Sequence, residues 1–369
     1  MIVNMGVMGA AGSGSTPAPS YSALVEKLID LGATEIWPMD DSSGGAKAVV
    51  NSDHNLLETD GTNVAYGYEF ESLVGVYGVD LTDNSGDKTY LRSVGDVSAL
   101  QLTGDLSVTF VKNASVLSTW TYPEIGMIGE SSGTAASNTL YSVTTAAGPG
   151  SPKRAVYGYQ HSANTLVRSS FSDNLLINIS RDLFTTITKN SVTKKIRYYL
   201  NGEFRSENSY TDEATGGTEA DFVVGRGMTR LGVSERSLAR FGTVAVNNTV
   251  LSDSDVLSIY LTAINLDERF PLNSVTKSNN RYSLGAFSSK ANEIYPCYLS
   301  SPTTYNLYYA IGLTSISDTF YMIQMSAGTI SFSHTGGTIV NNLSTVNIGD
   351  IVEVKRTGAT EFTLAISSK

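Results

Sequence analysis

The chain is poor in the residues that usually announce chemistry. Among 369 residues there is one cysteine, Cys297, so no disulfide can form within the chain. Small secreted scaffolds lean on several disulfides, so this chain has to hold together through an apolar core. Cys297 stands between Pro296 and Tyr298 with no Cys or His at ligand spacing, and reads as a packed thiol. Charge is also scarce. Asp, Glu, Lys and Arg make up 16% of the residues, against about 25% in an ordinary soluble domain. Adjacent basic residues come at most in pairs, such as Lys194-Lys195 and Lys355-Arg356, and the net charge is −10. Displacing counterions from duplex phosphates needs clustered cations, so nucleic acid is excluded as an expected partner. No apolar run reaches the roughly 18 residues that a membrane-spanning helix needs, so no membrane insertion is expected. The three histidines, His54, His161 and His334, stand in no Gly-x-Ser-x-Gly context, and no catalytic histidine is expected.

What fills the gap is Ser, Thr, Asn, 34 glycines and 20 tyrosines, with hydrophobic residues at 41%. That balance suits short strands joined by many turns, in a protein stable outside cells or inside a large assembly. The first residues carry Met1, Ile2, Val3, Met5, Val7 and Met8 among small residues and no Lys or Arg. A signal peptide starts with a basic region; this segment reads instead as an arm that anchors the chain to a partner subunit. A Gly/Ser/Pro linker runs from Gly12 to Ser20.

Leu24, Leu28 and Leu31 recur at helical spacing and Gly32 is placed to end that helix. Strand patterns dominate from Leu106 onward. Leu106, Val108 and Phe110 alternate with Ser107 and Thr109, which predicts a strand with one face in the core and one in water. Asn201-Gly202 supplies a tight hairpin turn, with Ile196, Tyr198 and Leu200 facing one way and Arg197 and Tyr199 the other. Ser252 and Asp255 form a capping box for a second helix that buries Val256, Ile259, Tyr260 and Ala263. The run Asp267-Glu268-Arg269-Phe270-Pro271 breaks regular structure, and the domain boundary is placed there. The organisation expected is an arm and linker over 1–20, a β domain over 21–270 and a second β domain over 271–369.

Four phrases in order give the larger domain a likeness. They are Trp37-Pro38-Met39-Asp40, Tyr199-Leu200-Asn201-Gly202, Arg240-Phe241-Gly242, and Leu251-Ser252 leading through Val256 to Tyr260. Their order and spacing resemble a laminin-G-like or concanavalin-A-like lectin domain. The resemblance implies an all-β fold, an antiparallel jelly-roll β-sandwich with two short helices, followed here by a smaller C-terminal β-sandwich. It implies binding surfaces rather than catalysis. With the apolar arm and the absence of disulfides, the combination resembles a tailed-phage virion protein. That implies a non-enzymatic tail appendage or fibre, assembled in the host cytoplasm, joined to other virion proteins through its arm, and displaying lectin-like domains to host-surface glycans. Homo-oligomerisation is expected by analogy. The alternative is a capsid decoration or head-fibre protein packed on the shell. A polysaccharide depolymerase is the third reading.

Retaining glycoside hydrolysis needs two carboxyl groups about 5–5.5 Å apart. Glu35 and Asp40 stand at an odd spacing that sends them to opposite faces of a strand, and Pro38 breaks the ladder between them. Trp37 is expected to plug the sandwich. Asp80, Asp83, Asn84 and Asp87 gather oxygen ligands in one loop. They read either as a calcium site or as a plain Asx-rich turn, and no other cofactor is implied. Tyrosines and tryptophans stack on sugar rings, and Tyr66, Tyr68 and Tyr77 are among the candidates. The carbohydrate contacts selected are Trp120, Tyr122, Tyr157 and Tyr159, weighed against ordinary packing of tyrosines at alternating strand positions.

Overall fold

The computed structural model describes residues 21–58, 64–70, 73, 75–81, 91–93, 104–113, 121–128, 139–146, 153–162, 165–172, 182–213, 221–225, 239–264, 276–277, 293–297, 303–306, 316, 318–324, 330–343, 346 and 350–367. For 121–128, 139–146, 165–172, 276–277, 293–297 and 303–306, and for 153–162 apart from Tyr157, the description is of the backbone.

Helix α1 (Ala23–Asp30) starts where the Ser22 hydroxyl accepts from the Val25 amide, and buries Leu24, Val25 and Leu28 on one face. It ends at Gly32, whose φ of 74° is the left-handed geometry that follows a helix without a Cβ penalty. Fifteen strands follow in chain order before the second helix: β1 (Glu35–Trp37), β2 (Leu56–Glu58), β3 (Ala65–Glu69), β4 (Tyr77–Asp80), β5 (Leu91–Ser93), β6 (Leu106–Asn113), β7 (Thr121–Ile128), β8 (Thr139–Ala146), β9 (Lys153–Ser162), β10 (Thr165–Ser172), β11 (Asp182–Asn190), β12 (Lys195–Leu200), β13 (Glu203–Ser209), β14 (Asp221–Val224) and β15 (Arg240–Asn247). Helix α2 (Asp253–Ala263) carries the expected capping box: the Asp255 amide donates to Ser252 Oγ at 3.1 Å and the Ser252 amide to Asp255 Oδ2 at 3.0 Å. Its buried residues include the four expected, Val256, Ile259, Tyr260 and Ala263.

The strands form two antiparallel sheets. One runs β13-β12-β11-β6-β15-β4-β3, with β1 paired to β15 beside β4; the other runs β10-β9-β8-β7-β14-β5-β2. They share one core and make the all-β jelly-roll sandwich that the sequence implied. Trp37 on the first sheet stacks on Phe222 of the second at 4.7 Å and 21°, and its indole N–H donates to the His54 carbonyl at 2.7 Å. The plug expected at Trp37 is therefore present. A fully buried aromatic of this kind contributes about 3–5 kcal/mol against truncation to alanine.

One strand expectation needs correction. Every residue of β6 is buried, not every second one. Val108 and Phe110 face the second sheet, while the opposite face is covered by the helices and the turn between β15 and α2. There Ser107 Oγ donates to the Thr249 carbonyl and accepts from the Leu251 amide, and Phe184 on β11 meets Tyr260 of α2 at 6.0 Å. Ser107 and Thr109 are polar because they hydrogen-bond under the helices, not because they meet water.

Beyond α2 lie β16 (Thr276–Lys277), β17 (Glu293–Cys297), β18 (Thr303–Asn306), β19 (Thr319–Gln324), β20 (Ile330–Ser333), β21 (Thr338–Val340), β22 (Ile351–Arg356) and β23 (Glu361–Ser367). Six of them order as β16-β17-β19-β22-β23-β21, mixing parallel and antiparallel pairs, and β18 pairs parallel with β20. The sheet is two-faced. Phe320, Met322, Val352 and Val354 belong to its own small core, whereas Ile351 and Tyr321, on the other face, pack with the core of the sandwich. Among the described residues no helix is long and apolar enough to cross a membrane.

Candidate functional site

Of the carbohydrate contacts selected from sequence, Tyr157 is the one whose side chain is described. Trp120 lies outside the described residues. Tyr122 and Tyr159 are placed by backbone alone, opposite Thr144 and Val167 in the second sheet. Tyr157 is a correction: it is 1% exposed, its ring packs on Tyr198 at 5.3 Å, and its hydroxyl bonds Ser206 at 3.0 Å. A ring buried between two sheets offers no face to a sugar. Of the oxygen-ligand set, Asp80 ends β4 and pairs with Arg240 at 2.7 Å, so a basic side chain already occupies its carboxylate. Asp83, Asn84 and Asp87 lie outside the described residues, as do the arm residues Met1, Ile2, Val3, Met5, Val7 and Met8. No group of three or more metal-ligating His, Cys, Asp or Glu side chains occurs among the described residues.

Glu35 is fully buried on the inner face of β1, and its partner is one that the sequence reading missed. His54 Nδ1 donates to Glu35 Oε2 at 2.7 Å, the Asn51 side-chain Nδ2 meets His54 Nε2 at 3.2 Å, and the Ile36 backbone amide donates to Glu35 Oε1 at 3.2 Å. The site is closed: these bonds staple β1 to the 3-10 turn at Ser52–His54. A buried carboxylate has to be bonded or charge-compensated, and nothing in the spacing of residues 35 and 54 announces which group will do it.

On the outer face of the β12–β13 hairpin an exposed aromatic ring stands among ion-paired side chains. Asn201 and Gly202 take φ values of 51° and 73°, the expected tight turn, and Asn201 is clamped to β11 by bonds to both the amide and the carbonyl of Phe184. Gly202 lies against α2, where an added Cβ would stand 3.0 Å from Tyr260 Cβ. The ladder then slips. Leu200 pairs with Glu203 and Tyr199 with Phe204, but Tyr198 pairs with Ser206, leaving Arg205 as a bulge. Paired residues share a face, so Phe204 points outward with Tyr199 while Ser206 points inward with Tyr198. Strict alternation would have put Phe204 and Ser206 on the same side.

The result is an apolar ring set among fixed polar groups. Phe204 is 48% exposed. Its ring meets Tyr199 edge-on at 5.9 Å, and the Arg197 guanidinium lies 5.7 Å from its centroid. Arg197 donates through Nε to Glu207 at 2.7 Å and through Nη1 to Asp253 at 3.3 Å. The Tyr199 hydroxyl donates to Asp253 at 2.7 Å, and Lys195 also pairs with Glu207. Hydrogen bonds from Lys195 and Arg197 hold the Glu207 carboxyl below its ordinary range, and the bond to Glu207 pushes Arg197 further up. Burial and the Asp253 carboxylate raise Tyr199, which keeps it a neutral donor. The sequence signals for this face are the hairpin turn and the outward pair Arg197 and Tyr199; pairing across the turn puts Phe204 beside Tyr199, and the bulge then brings Glu207 opposite Arg197.

No family model matches the chain, and no curated protein matches it. Solved structures do. A botulinum neurotoxin serotype D ligand-binding domain in complex with N-acetylneuraminic acid matches with 16% identity and a TM-score of 0.46, over 66% of this chain and 53% of that one. The serotype D binding domain matches with 18% identity and a TM-score of 0.45, over 69% and 55%. A neurotoxin DC binding domain in complex with SialylT matches with 11% identity and a TM-score of 0.42, over 63% and 51%. The chain spans about half the length of these structures.

Proposed function

We propose that this chain is a non-enzymatic, lectin-like binding protein whose sandwich contacts glycans through the outer face of β12–β13. The observation that carries this is the Phe204 ring, half-exposed and framed by Arg197, Glu207 and Asp253 in an interlocked network. A sugar presents C–H faces and hydroxyl edges together. An aromatic plane bordered by pre-positioned donors and acceptors answers both, and pre-positioning lowers the ordering penalty on binding. The non-enzymatic reading is supported by Glu35, whose carboxylate has no opening to substrate. The proposed setting is the virion of a tailed phage, on a tail appendage or fibre, with the N-terminal arm seated in neighbouring subunits.

A glycan array probed with the full chain and with Phe204→Ala tests the binding reading. Hits that vanish in the variant support it, and an array blank for the parent chain overturns it. Gold labelling of purified virions with an antibody to residues 272–369 tests the setting. Label at the tail supports it, label over the head makes the chain a capsid decoration protein, and unlabelled particles overturn the virion reading.

A further inference from the structure

We infer that the β12–β13 face selects uncharged saccharides over anionic ones, an inference that rests on the glycan-binding reading above. The argument is a charge count on one surface. Two cations, Lys195 and Arg197, face two carboxylates, Glu207 and Asp253, and all four are joined: Lys195 and Arg197 converge on Glu207, and Arg197 also reaches Asp253. The sum is zero, and each cation already has an anionic partner. An incoming carboxylate or sulfate would meet cations whose charge Glu207 and Asp253 already offset, so it would gain no net attraction from the face. Arg205, the bulge residue, adds no free charge, because it is paired with Glu203 on the same strand.

The most accessible polar group on the face is an acceptor. The Asp253 side chain is 66% exposed. Its Oδ1 takes the bonds from Tyr199 and Arg197. Asp253 is the first residue of α2, where the helix N-terminus favours a negative charge. Beside the Phe204 ring, an ionised acceptor attracts the hydroxyl hydrogens of a neutral sugar and repels an acidic one. The whole chain, at −10, adds a long-range field of the same sign. The face therefore fits a neutral pyranose laid on Phe204, with a hydroxyl edge donating to Asp253. Neighbouring hydroxyls can accept from the Arg197 and Lys195 hydrogens that Glu207 and Asp253 leave over.

The test is a titration of the full chain with a neutral oligosaccharide and with the same oligosaccharide carrying a uronic or sialic acid cap. Each is run at about 50 mM and about 300 mM salt, a range that screens exposed charges strongly. The neutral form is expected to bind with an affinity that salt leaves unchanged. The capped form should bind at least about tenfold more weakly, and Phe204→Ala should weaken the neutral form by about tenfold or more, while Phe204→Trp restores it. Melting of both variants at the parent temperature shows that the fold is intact. Tighter, salt-sensitive binding of the capped form overturns the inference and leaves the glycan reading standing. Neutral binding that survives Phe204→Ala overturns the assignment to this face. Binding to neither form overturns both.

Discussion

The two edges of the eight-stranded sheet carry nearly the same set of side chains and put it to opposite use. At the β3–β4 edge, Arg240 pairs with Asp80 at 2.7 Å and lies 4.3 Å over Tyr68, which meets Phe70 edge-on at 5.0 Å. At the β12–β13 edge, Arg197 reaches Asp253 at 3.3 Å and lies 5.7 Å from Phe204, which meets Tyr199 edge-on at 5.9 Å. Each edge ladder also carries a bulge, at Gly67 in one and Arg205 in the other. The difference is where the phenylalanine goes. Phe70 is fully buried, because Gly78 and Gly242 leave room: a Cβ on either would stand 2.6 or 2.9 Å from its ring. Phe204 has no such glycine pocket and stays half-exposed. Arginine, aspartate and aromatic rings make a structural clasp where glycine lets the ring sink, and a surface where it does not.

The comparison predicts unequal losses. Phe70→Ala empties a closed space and should destabilise the sandwich by about 3–5 kcal/mol, whereas Phe204→Ala should stay within about 0.5 kcal/mol. Urea unfolding of the two variants measures both, and equal losses would break the distinction between clasp and surface. Gly78→Ala should come close behind Phe70→Ala, because its Cβ also meets the Phe241 carbonyl oxygen, a backbone atom that cannot swing aside. A Gly78→Ala chain that melts with the parent would mean that the glycine pocket does not hold the ring.

A smaller effect belongs to the turn that presents the proposed binding face. Gly202 has positive φ and sits against Tyr260, so Gly202→Ala should cost about 1–2 kcal/mol. The readout that sharpens the comparison is whether Phe204 shifts with it. Glycan affinity should fall in this variant, since the β12–β13 register is set from that turn, while Gly78→Ala should leave affinity unchanged in whatever fraction stays folded.

The turn, both helix caps and the Trp37 plug were legible in sequence from local signals, and the all-β sandwich from four phrases in order. Asn-Gly, Ser-x-x-Asp and strand alternation are short-range signals with a mechanism. The proposed binding face was legible only in part. Phe204 faces outward because it pairs with Tyr199 across the Asn201-Gly202 turn, while Arg205 is an extra residue that shifts the parity of the positions after it, Ser206 and Glu207 among them, without any mark in composition. Tyr157 was misread for the same kind of reason: its alternation is real, but which of two faces is the core depends on the sheet opposite. The burial of both faces of β6 likewise comes from segments distant along the chain, as the bonds from Ser107 to Thr249 and Leu251, in the turn before α2, record.

The smallest expected effect concerns pH, and it bears most directly on ligand choice. Glu207 is held below the ordinary carboxylate range, by the Lys195 hydrogen bond first and the Arg197 bond second. A group whose folded pKa is depressed contributes stability above its unfolded value and loses that contribution as pH falls through the folded value. Exposed pairs are screened by solvent, so the melting temperature should drop only slightly between pH 7 and pH 3 on this account, and Glu207→Gln should remove that slight dependence. Charge on the face changes more than stability does. Once Glu207 is protonated, the carboxylates of the face no longer offset Lys195 and Arg197, and its sum turns positive. Anionic glycans should then begin to bind as pH falls through the Glu207 transition, and Glu207→Gln should bind them already at neutral pH. At the opposite edge Arg240 has Asp80 as its carboxylate and Phe70 lies buried beneath the strands, so the same pH change should recruit no ligand there. Acid-induced binding that persists in Phe204→Ala but disappears in Arg240→Ala would reverse the roles assigned to the two edges.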